Sequence, residues 1–259
     1  MALPASRTKL IELSHRIDHL YDLGKKEEGA ALLQDALGHA AKNEAYRNFF
    51  SAEMAGYLER NRKKQKRLLL EAYRLGEDDP FIVKSVGVYF LMSDSERTAI
   101  KYFEKATELD PDDFESLRHK GLAYSNLGKE KKGMEWFAKA IQLNPQDYDS
   151  MRQTGVSLSK LDKDLEAIEW FRKALAVNQS DYDSMRQLGV SLAMLKKYDE
   201  AVKWLNLALA VNPNDFESKR NLRLVQKKIT GEGETFLSRF ITYLGRKVAV
   251  AWRWLVNKL

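Results

Sequence analysis

The 259-residue sequence has no cysteine, only five prolines and four histidines, and no long uncharged stretch. The lack of cysteine excludes disulfides, thiolate zinc sites and cysteine nucleophiles. The chain becomes charged at Arg7 and Lys9, before any apolar run of the length that a secretory signal needs. Every stretch long enough to span a bilayer carries charges. We therefore expect a cytoplasmic protein without a membrane-spanning helix.

Catalytic and cofactor-binding motifs are also missing. The chain has no P-loop, no nucleophile elbow and only one Gly-x-Gly, at Gly231 and Gly233. His15 and His19 lie one helical turn apart but have no evident third ligand, so an ordinary polar face explains them better than a metal site. We expect no enzymatic activity, no cofactor and no metal.

What the sequence does contain is a repeat with a period of 34 residues. Segments of similar sequence begin at Phe114, Tyr148, Tyr182 and Phe216. Small and bulky apolar residues keep the same step: Gly87, Gly121, Gly155 and Gly189; Phe103, Phe137, Phe171 and Leu205; Ala106, Ala140, Ala174 and Ala208. The apolar spacing within each period is helical, and a polar break such as Asn126–Glu130 divides it into two helices. Each period is therefore predicted to be a helical hairpin.

These residues resemble the tetratricopeptide repeat, whose pattern Leu117, Gly121, Tyr124, Phe137, Ala140 and Pro145 follow. The resemblance is strong over 80–215, which we divide into four units, and weak over 10–79, where Ile17 and Glu53 stand at the glycine position of two divergent units. It implies an all-α, right-handed α-solenoid, with first helices lining a concave groove and polar caps at its ends. We assign 1–9 to an N-terminal extension, 216–230 to a capping helix and 231–235 to a hinge. In the cap, Leu222, Leu224, Val225 and Ile229 are expected to cover the last repeat.

A ladder of basic residues is the most specific functional feature. The family's geometry would place it in the groove, beside polar and apolar rows that keep the same step. The predicted groove residues are Lys84, Val88, Arg118, His119, Leu122, Arg152, Gln153, Val156, Arg186, Gln187, Val190, Arg220, Asn221 and Leu224. Such a surface suits an extended or helical segment with acidic and apolar side chains. The family's clamp for chaperone C-termini needs asparagine where Val88, Leu122 and Val156 stand, which argues against chaperone tails.

A structural explanation of the ladder remains open. Glu115, Asp149, Asp183 and Glu217 lie three residues before the arginines and can pair with them along each helix. A second ladder, Tyr102, Trp136, Trp170 and Trp204, is interpreted as packing between repeats rather than as a partner surface. The basic run from Arg60 to Arg67 could contact nucleic acid, anionic lipid or an acidic protein, although much of it fits ordinary solvated surface.

The last segment, 236–259, is predicted to be a basic amphipathic helix. It holds five bases and no acid. The residues that we assign to membrane binding or self-association are Phe236, Arg239, Phe240, Leu244, Arg246, Trp252, Arg253 and Trp254. A basic helix with tryptophans on its apolar face is typical of an interfacial membrane anchor. Docking on its own solenoid, on a second copy or on a partner helix stays open.

Together these features predict a non-catalytic interaction scaffold or adaptor. Its expected partner is a protein or peptide with acidic and apolar residues, with an anionic membrane surface and a homo-oligomer as further candidates. Nucleic acid is disfavoured, because no basic stripe with interleaved aromatics accompanies the modest net charge of +6. The alternative is a regulatory module that binds a small anionic ligand or nucleic acid through its basic patches.

Overall fold

The computed structural model describes residues 5–231, and every regular element in that range is a helix. The helices are α1 Ala5–Asp22, α2 Lys26–His39, α3 Glu44–Tyr57, α4 Arg62–Leu75, α5 Pro80–Leu91, α6 Glu96–Leu109, α7 Phe114–Asn126, α8 Glu130–Leu143, α9 Tyr148–Lys160, α10 Asp164–Val177, α11 Tyr182–Met194, α12 Tyr198–Val211 and α13 Phe216–Thr230. The prediction of an all-α fold built from helical hairpins is confirmed. The predicted C-terminal helix lies outside the described residues.

The described chain forms two compact units that divide within α9. The N-terminal unit extends to Gln153 and contains the hairpins α1–α2, α3–α4, α5–α6 and α7–α8. The C-terminal unit starts at Thr154 and contains α10, the hairpin α11–α12 and α13, which packs on α12.

Aspartate and asparagine side chains fix where most first helices begin. Asp79 accepts a hydrogen bond from the backbone N–H of Phe81, and Asp215 accepts one from Ser218, both at 3.0 Å. Asn43 caps α3 in the same way. Side-chain acceptors of this kind satisfy N–H groups that the first turn of a helix leaves free.

Glycine lets the two helices of a hairpin approach closely. A Cβ built on Gly87, Gly121 or Gly155 would lie 2.6 Å from the ring of Phe103, Phe137 or Phe171, each of which is fully buried. Leu205 takes this place opposite Gly189.

The two divergent hairpins fill the same contact differently. Ile17 and Glu53 stand at the glycine position, and Leu33 and Leu69 replace the phenylalanine on the second helix. Leucine is smaller than phenylalanine, which provides part of the room that the larger residue on the first helix needs. Both divergent repeats are helical hairpins.

Each hairpin turn contains one residue in the left-handed region. Gly24, Arg60, Asp94, Gly128, Asp162 and Lys196 have φ between 51° and 73°, and the last five follow the 34-residue step. This backbone turns the chain from the first helix into the second within about four residues.

An extra ion pair fastens the N-terminus of α1. Arg7 donates to both oxygens of Asp79, through Nε at 2.8 Å and Nη2 at 2.6 Å, and the Tyr46 hydroxyl donates to the same carboxylate at 3.1 Å. The contact joins α1, α3 and the start of α5. Beneath it, Leu10 and Phe50 belong to the apolar core of the N-terminal unit.

The cap at the other end is less covered than expected. Val225 is buried and Leu222 is partly buried, as predicted, but Leu224 and Ile229 are about half exposed. Gly231, in the left-handed region at φ 68°, ends α13. Because α13 is the last described helix, the side of it that bears Phe216 and Leu224 has no further described repeat to cover it.

Candidate binding surface

The predicted groove residues lie on first helices, at the surface rather than in the core. From Lys84 to Val190 all of them are partly buried, whereas Arg220 and Leu224 on α13 are exposed. Within each unit the basic residues point toward the start of the next first helix, where they meet acidic side chains.

In the N-terminal unit the charges form a continuous alternating row. Lys84 Nζ lies 2.5 Å from Glu115 and 3.4 Å from Asp113. Arg118 donates to Asp147 at 2.7 Å. It also lies 3.9 Å from Glu115, on its own helix. The row therefore links three consecutive first helices.

Within the N-terminal unit the row continues to Asp149. This carboxylate lies 3.9 Å from Arg118 and is hydrogen-bonded to Arg152 on its own helix. Every basic residue of the row thus already has an acidic partner.

The C-terminal unit repeats the pattern with one difference. Arg186 pairs with Asp183 on its own helix and donates to both oxygens of Asp215 at 3.1 Å. Arg220 has the corresponding acid on its own helix, Glu217 at 3.6 Å, but its side chain is 60% exposed, against 18% for Arg186. The described residues end at Gly231, before any further repeat that could supply a capping aspartate for Arg220. Arg220 is therefore the most accessible guanidinium of the ladder.

Sequence reasoning identified the acids on the same helix but missed the capping aspartates of the next repeat. Their signal is an Asp-x-x-Ser pair 29 residues after each basic residue from Lys84 to Arg186. Asp147, whose side chain is 2% exposed, accepts from Arg118 and from the Ser150 hydroxyl at 2.5 Å. One carboxylate thereby begins a helix and holds the preceding repeat.

Two acids of this ladder, Asp215 and Glu115, have lowered pKa values. Burial would raise the pKa of Asp215, but hydrogen bonds from Ser218 and Arg186 outweigh it and lower that pKa. Burial would also raise the pKa of Glu115, but the positive charges of Lys84 and Arg118 outweigh that effect, so this pKa is lowered too. These two carboxylates are therefore ionised at neutral pH and offset the charge of the basic residues beside them.

The rows beside the ladder supply apolar surface and hydrogen-bonding groups. Val88 and Leu122 are partly buried in the N-terminal unit, as is Val190 in the C-terminal unit. His119 stacks on Phe103 with ring centroids 5.5 Å apart, and its Nδ1 has no hydrogen-bond partner. Burial lowers the pKa of His119 to about 4. It is therefore neutral at physiological pH and adds no charge to the surface.

An acidic cluster in the N-terminal unit was not anticipated. The Tyr57 hydroxyl donates to Asp18 at 2.9 Å. Burial raises the pKa of Asp18, and burial together with the Asp18 charge raises the pKa of Glu53 to about 8. The available signal was a carboxylate at a position that the other repeats reserve for glycine.

The aromatic ladder is partly buried in both units. In the N-terminal unit Tyr102 stacks on Phe90, and the Lys120 ammonium lies 3.8 Å from the Trp136 ring centroid. In the C-terminal unit Lys173 lies 4.2 Å from the Trp170 ring centroid. Neighbouring side chains thus cover these rings in part.

Other predicted sites are placed as follows. No cluster of three or more metal-ligating side chains occurs among the described residues, His15 and His19 included. The run from Arg60 to Arg67 occupies the α3–α4 turn and the first half of α4. Within 5–231 no helix is both long and apolar enough to cross a bilayer. The predicted membrane or self-association residues from Phe236 to Trp254 lie outside the described residues.

Comparison with known proteins identifies the repeats. Models described as tetratricopeptide repeat match residues 94–113 and 115–147, and a further one matches 163–216. A search among curated proteins gives no match.

Solved structures show the same fold at low sequence identity. The Cut9–Hcn1 hetero-tetramer of APC/C matches with a TM-score of 0.67 and 15% identity, covering 83% of this chain and 42% of that one. MamA matches with a TM-score of 0.54 and 17% identity, covering 62% and 94%. YrrB, described as a TPR protein with an unusual peptide-binding site, matches with a TM-score of 0.50 and 16% identity, covering 73% and 96%. At these identities the likeness concerns the fold.

Proposed function

Because the chain belongs to the tetratricopeptide repeat family, we propose that it is a non-catalytic scaffold that binds protein segments along its first helices. The observation that carries the proposal is the row of apolar and amide side chains beside a charge ladder that repeats from helix to helix. Such a surface can hold an extended or helical segment over several repeats. The peptide-binding site named for YrrB is consistent with this use of the fold.

The charge ladder sets the chemistry of the bound segment. At Arg118 and Arg186 a ligand carboxylate would compete with the chain's own aspartates, whereas Arg220 is open. Phe216 and Leu224 are exposed by 69% and 52% on the same helix. We expect a ligand with a carboxylate directed at Arg220 and apolar side chains against Phe216 and Leu224, because desolvation by the apolar contacts strengthens the ion pair.

Peptide selection tests this proposal. A displayed random-peptide library is selected against the full chain, and enriched peptides are synthesised and titrated by calorimetry. We expect enrichment of acidic and apolar residues, and at least about tenfold weaker binding to Arg220→Glu, the change in affinity that one charge-assisted contact supplies. The matched control is Lys228→Glu, an exposed base on the same helix. Equal loss in both variants, or no enrichment, would refute the assignment.

We also propose recruitment to an anionic membrane surface through the C-terminal segment, which would make this a cytoplasmic, peripheral membrane protein. The support is its composition, five bases with aromatic residues and no acid. The full chain should sediment with anionic vesicles, and a chain ending at Glu234 should sediment less. The other open interpretation is that the segment mediates self-association. In that case truncation should lower the particle mass measured by light scattering and leave vesicle binding unchanged.

A further inference from the structure

One edge of the N-terminal unit combines exposed apolar side chains with concentrated positive charge. It is formed by the turns α1–α2, α3–α4 and α5–α6, which we call the turn edge. Leu23, Leu58 and Met92, one in each turn, are exposed by 58%, 44% and 76%. Single exposed apolar residues are ordinary on a protein surface. Here α1 packs on α3 and α3 on α5, so the three turns, each with one such residue, follow one another along the same edge.

Within the N-terminal unit, positive charge is concentrated at the middle turn. Residues 58–67 contain six bases and one acid, a net charge of +5 in a chain whose total is +6. Lys64 pairs with Glu59 at 2.7 Å. The neighbouring bases at Arg62, Lys63 and Arg67 are exposed. The adjoining turns carry acids, Glu27 and Glu96 among them, so attraction for an anion centres on the α3–α4 turn.

Helix stability does not explain this charge. The other second helices, α2, α6, α8, α10 and α12, have acids in their first turn, which is favourable at the positive end of a helix dipole. Helix α4 has none, and instead begins Arg62-Lys63-Lys64. The bases oppose the dipole, so a use outside the fold is the better explanation.

The opposite edge provides an internal comparison. At the ends of second helices Leu75, Leu109 and Leu143 are also exposed. There, however, residues 75–79 and 109–113 contain six acids and no base. Apolar residues occur at both edges, but only the turn edge joins them to positive charge.

We propose that the turn edge binds an anionic lipid surface, with Leu58 and Met92 entering the headgroup region and the bases of α4 meeting lipid phosphates. Apolar insertion and attraction to anionic headgroups reinforce each other. Lipid fits better than nucleic acid, because Leu23, Leu58 and Met92 are aliphatic. The exposed ring beside them, Tyr57, is already stacked on Tyr21, which leaves it a poor platform for a base. The inference deepens the proposed membrane recruitment but assigns it to a second surface, separate from the C-terminal segment.

Vesicle flotation of the full chain tests the inference. Vesicles of phosphatidylcholine alone are compared with equimolar phosphatidylcholine and phosphatidylserine. For Lys63→Glu/Arg67→Glu we expect binding to the anionic vesicles to fall by at least about tenfold, since each base near such a surface contributes strongly. Leu58→Ser/Met92→Ser should also weaken it. The controls, Lys42→Glu/Lys203→Glu and Leu109→Ser/Leu143→Ser, make the same changes at exposed sites elsewhere and should bind as the wild type does.

The outcomes separate this surface from the C-terminal segment. Trp252→Glu/Trp254→Glu in the full chain tests that segment alone. If it abolishes vesicle binding while the edge variants bind normally, the turn edge is refuted and recruitment by the segment stands. Loss of RNA binding in Lys63→Glu/Arg67→Glu with unchanged vesicle binding would instead assign the edge to nucleic acid and overturn the proposal. Peptide binding at Arg220 should be unaffected by every edge variant.

Discussion

At the scale of single residues, the capping aspartates explain why the ladder repeats so regularly. Asp147 begins α9, fixes Ser150 and accepts from Arg118 of the preceding repeat. A substitution at either end removes a hydrogen-bond partner from a nearly buried charged or polar group, and this is costlier than losing a surface ion pair. Arg118 and Arg186 therefore stabilise the stacking of repeats, whereas the side chain of Arg220 is exposed enough to bind a ligand.

Replacing Asp147 by alanine tests this role. We expect Asp147→Ala to lower the free energy of unfolding by about 2–4 kcal/mol, since it removes a helix cap, the 2.7 Å hydrogen bond from Arg118 and the hydrogen bond from the Ser150 hydroxyl. Urea denaturation followed by circular dichroism measures the change. The exposed Asp112→Ala is the control and should stay within about 0.5 kcal/mol of the wild type. Similar losses in both variants would contradict the ladder.

Glu53 gives a residue-scale prediction of pH dependence. Its pKa is about 8 in the folded protein, against 4.5 for the free side chain. The folded state therefore holds a proton that the unfolded state releases, so this contribution to stability is full below pH 4.5 and is lost as the pH rises toward 8. In Glu53→Gln that loss should disappear. The difference in melting temperature between this variant and the wild type should therefore widen from pH 5 to pH 8. The exposed Glu108→Gln should follow the wild type, and parallel curves for Glu53→Gln would refute the raised pKa.

At the scale of elements, the hairpin turns use a backbone geometry that favours glycine, although four of six turns lack it. Asp162 and Lys196 have φ of 59° and 62°, and both are exposed. A side chain in this region costs about 1 kcal/mol relative to glycine. The sequence alone suggested a turn at Gly128 but gave no sign that its equivalents share the left-handed backbone, because their side chains differ.

Glycine at these turns should therefore stabilise the hairpins. We expect Lys196→Gly to raise the free energy of unfolding by about 0.5–1 kcal/mol, and Gly128→Ala to lower it by about 1 kcal/mol. Lys196→Ala separates backbone strain from loss of the lysine side chain and should be close to neutral. Urea titration checks all three, and a Lys196→Gly protein no more stable than Lys196→Ala would exclude strain at this turn.

Much of the helix and hairpin structure can be predicted from the sequence, because the residues that pack the two helices of a hairpin together lie within a single repeat. Gly121 and Phe137 could be recognised from the sequence as repeating small and bulky positions of one hairpin. The partner of Arg118 could not, since a residue 29 positions away becomes a neighbour only when hairpins stack. The exposure of Leu224 likewise depends on what covers α13, and its sequence pattern matches that of the partly buried Val190.

At the scale of the whole molecule, stability in a stack of repeats comes from each hairpin and its immediate neighbours. The described chain divides into two compact units with separate buried rings, Phe50 in the N-terminal unit and Phe171 in the C-terminal unit. Contacts between repeats that are not neighbours are few in such a chain. The ion pair of Arg7 with Asp79 is one example. Loss of packing in one unit should therefore be felt mainly there.

Native-state hydrogen exchange can test this localisation. Phe171→Ala removes a fully buried ring that lies against Gly155 and should destabilise its unit by about 3–5 kcal/mol. We expect amides in α10, α11 and α12 to lose protection by that amount, while amides in α3 and α5 change by less than about 1 kcal/mol. Phe50→Ala is the reciprocal variant, with the loss confined to the N-terminal unit. If either substitution lowered protection equally in both units, the chain would unfold as one cooperative body and the division would have no energetic meaning.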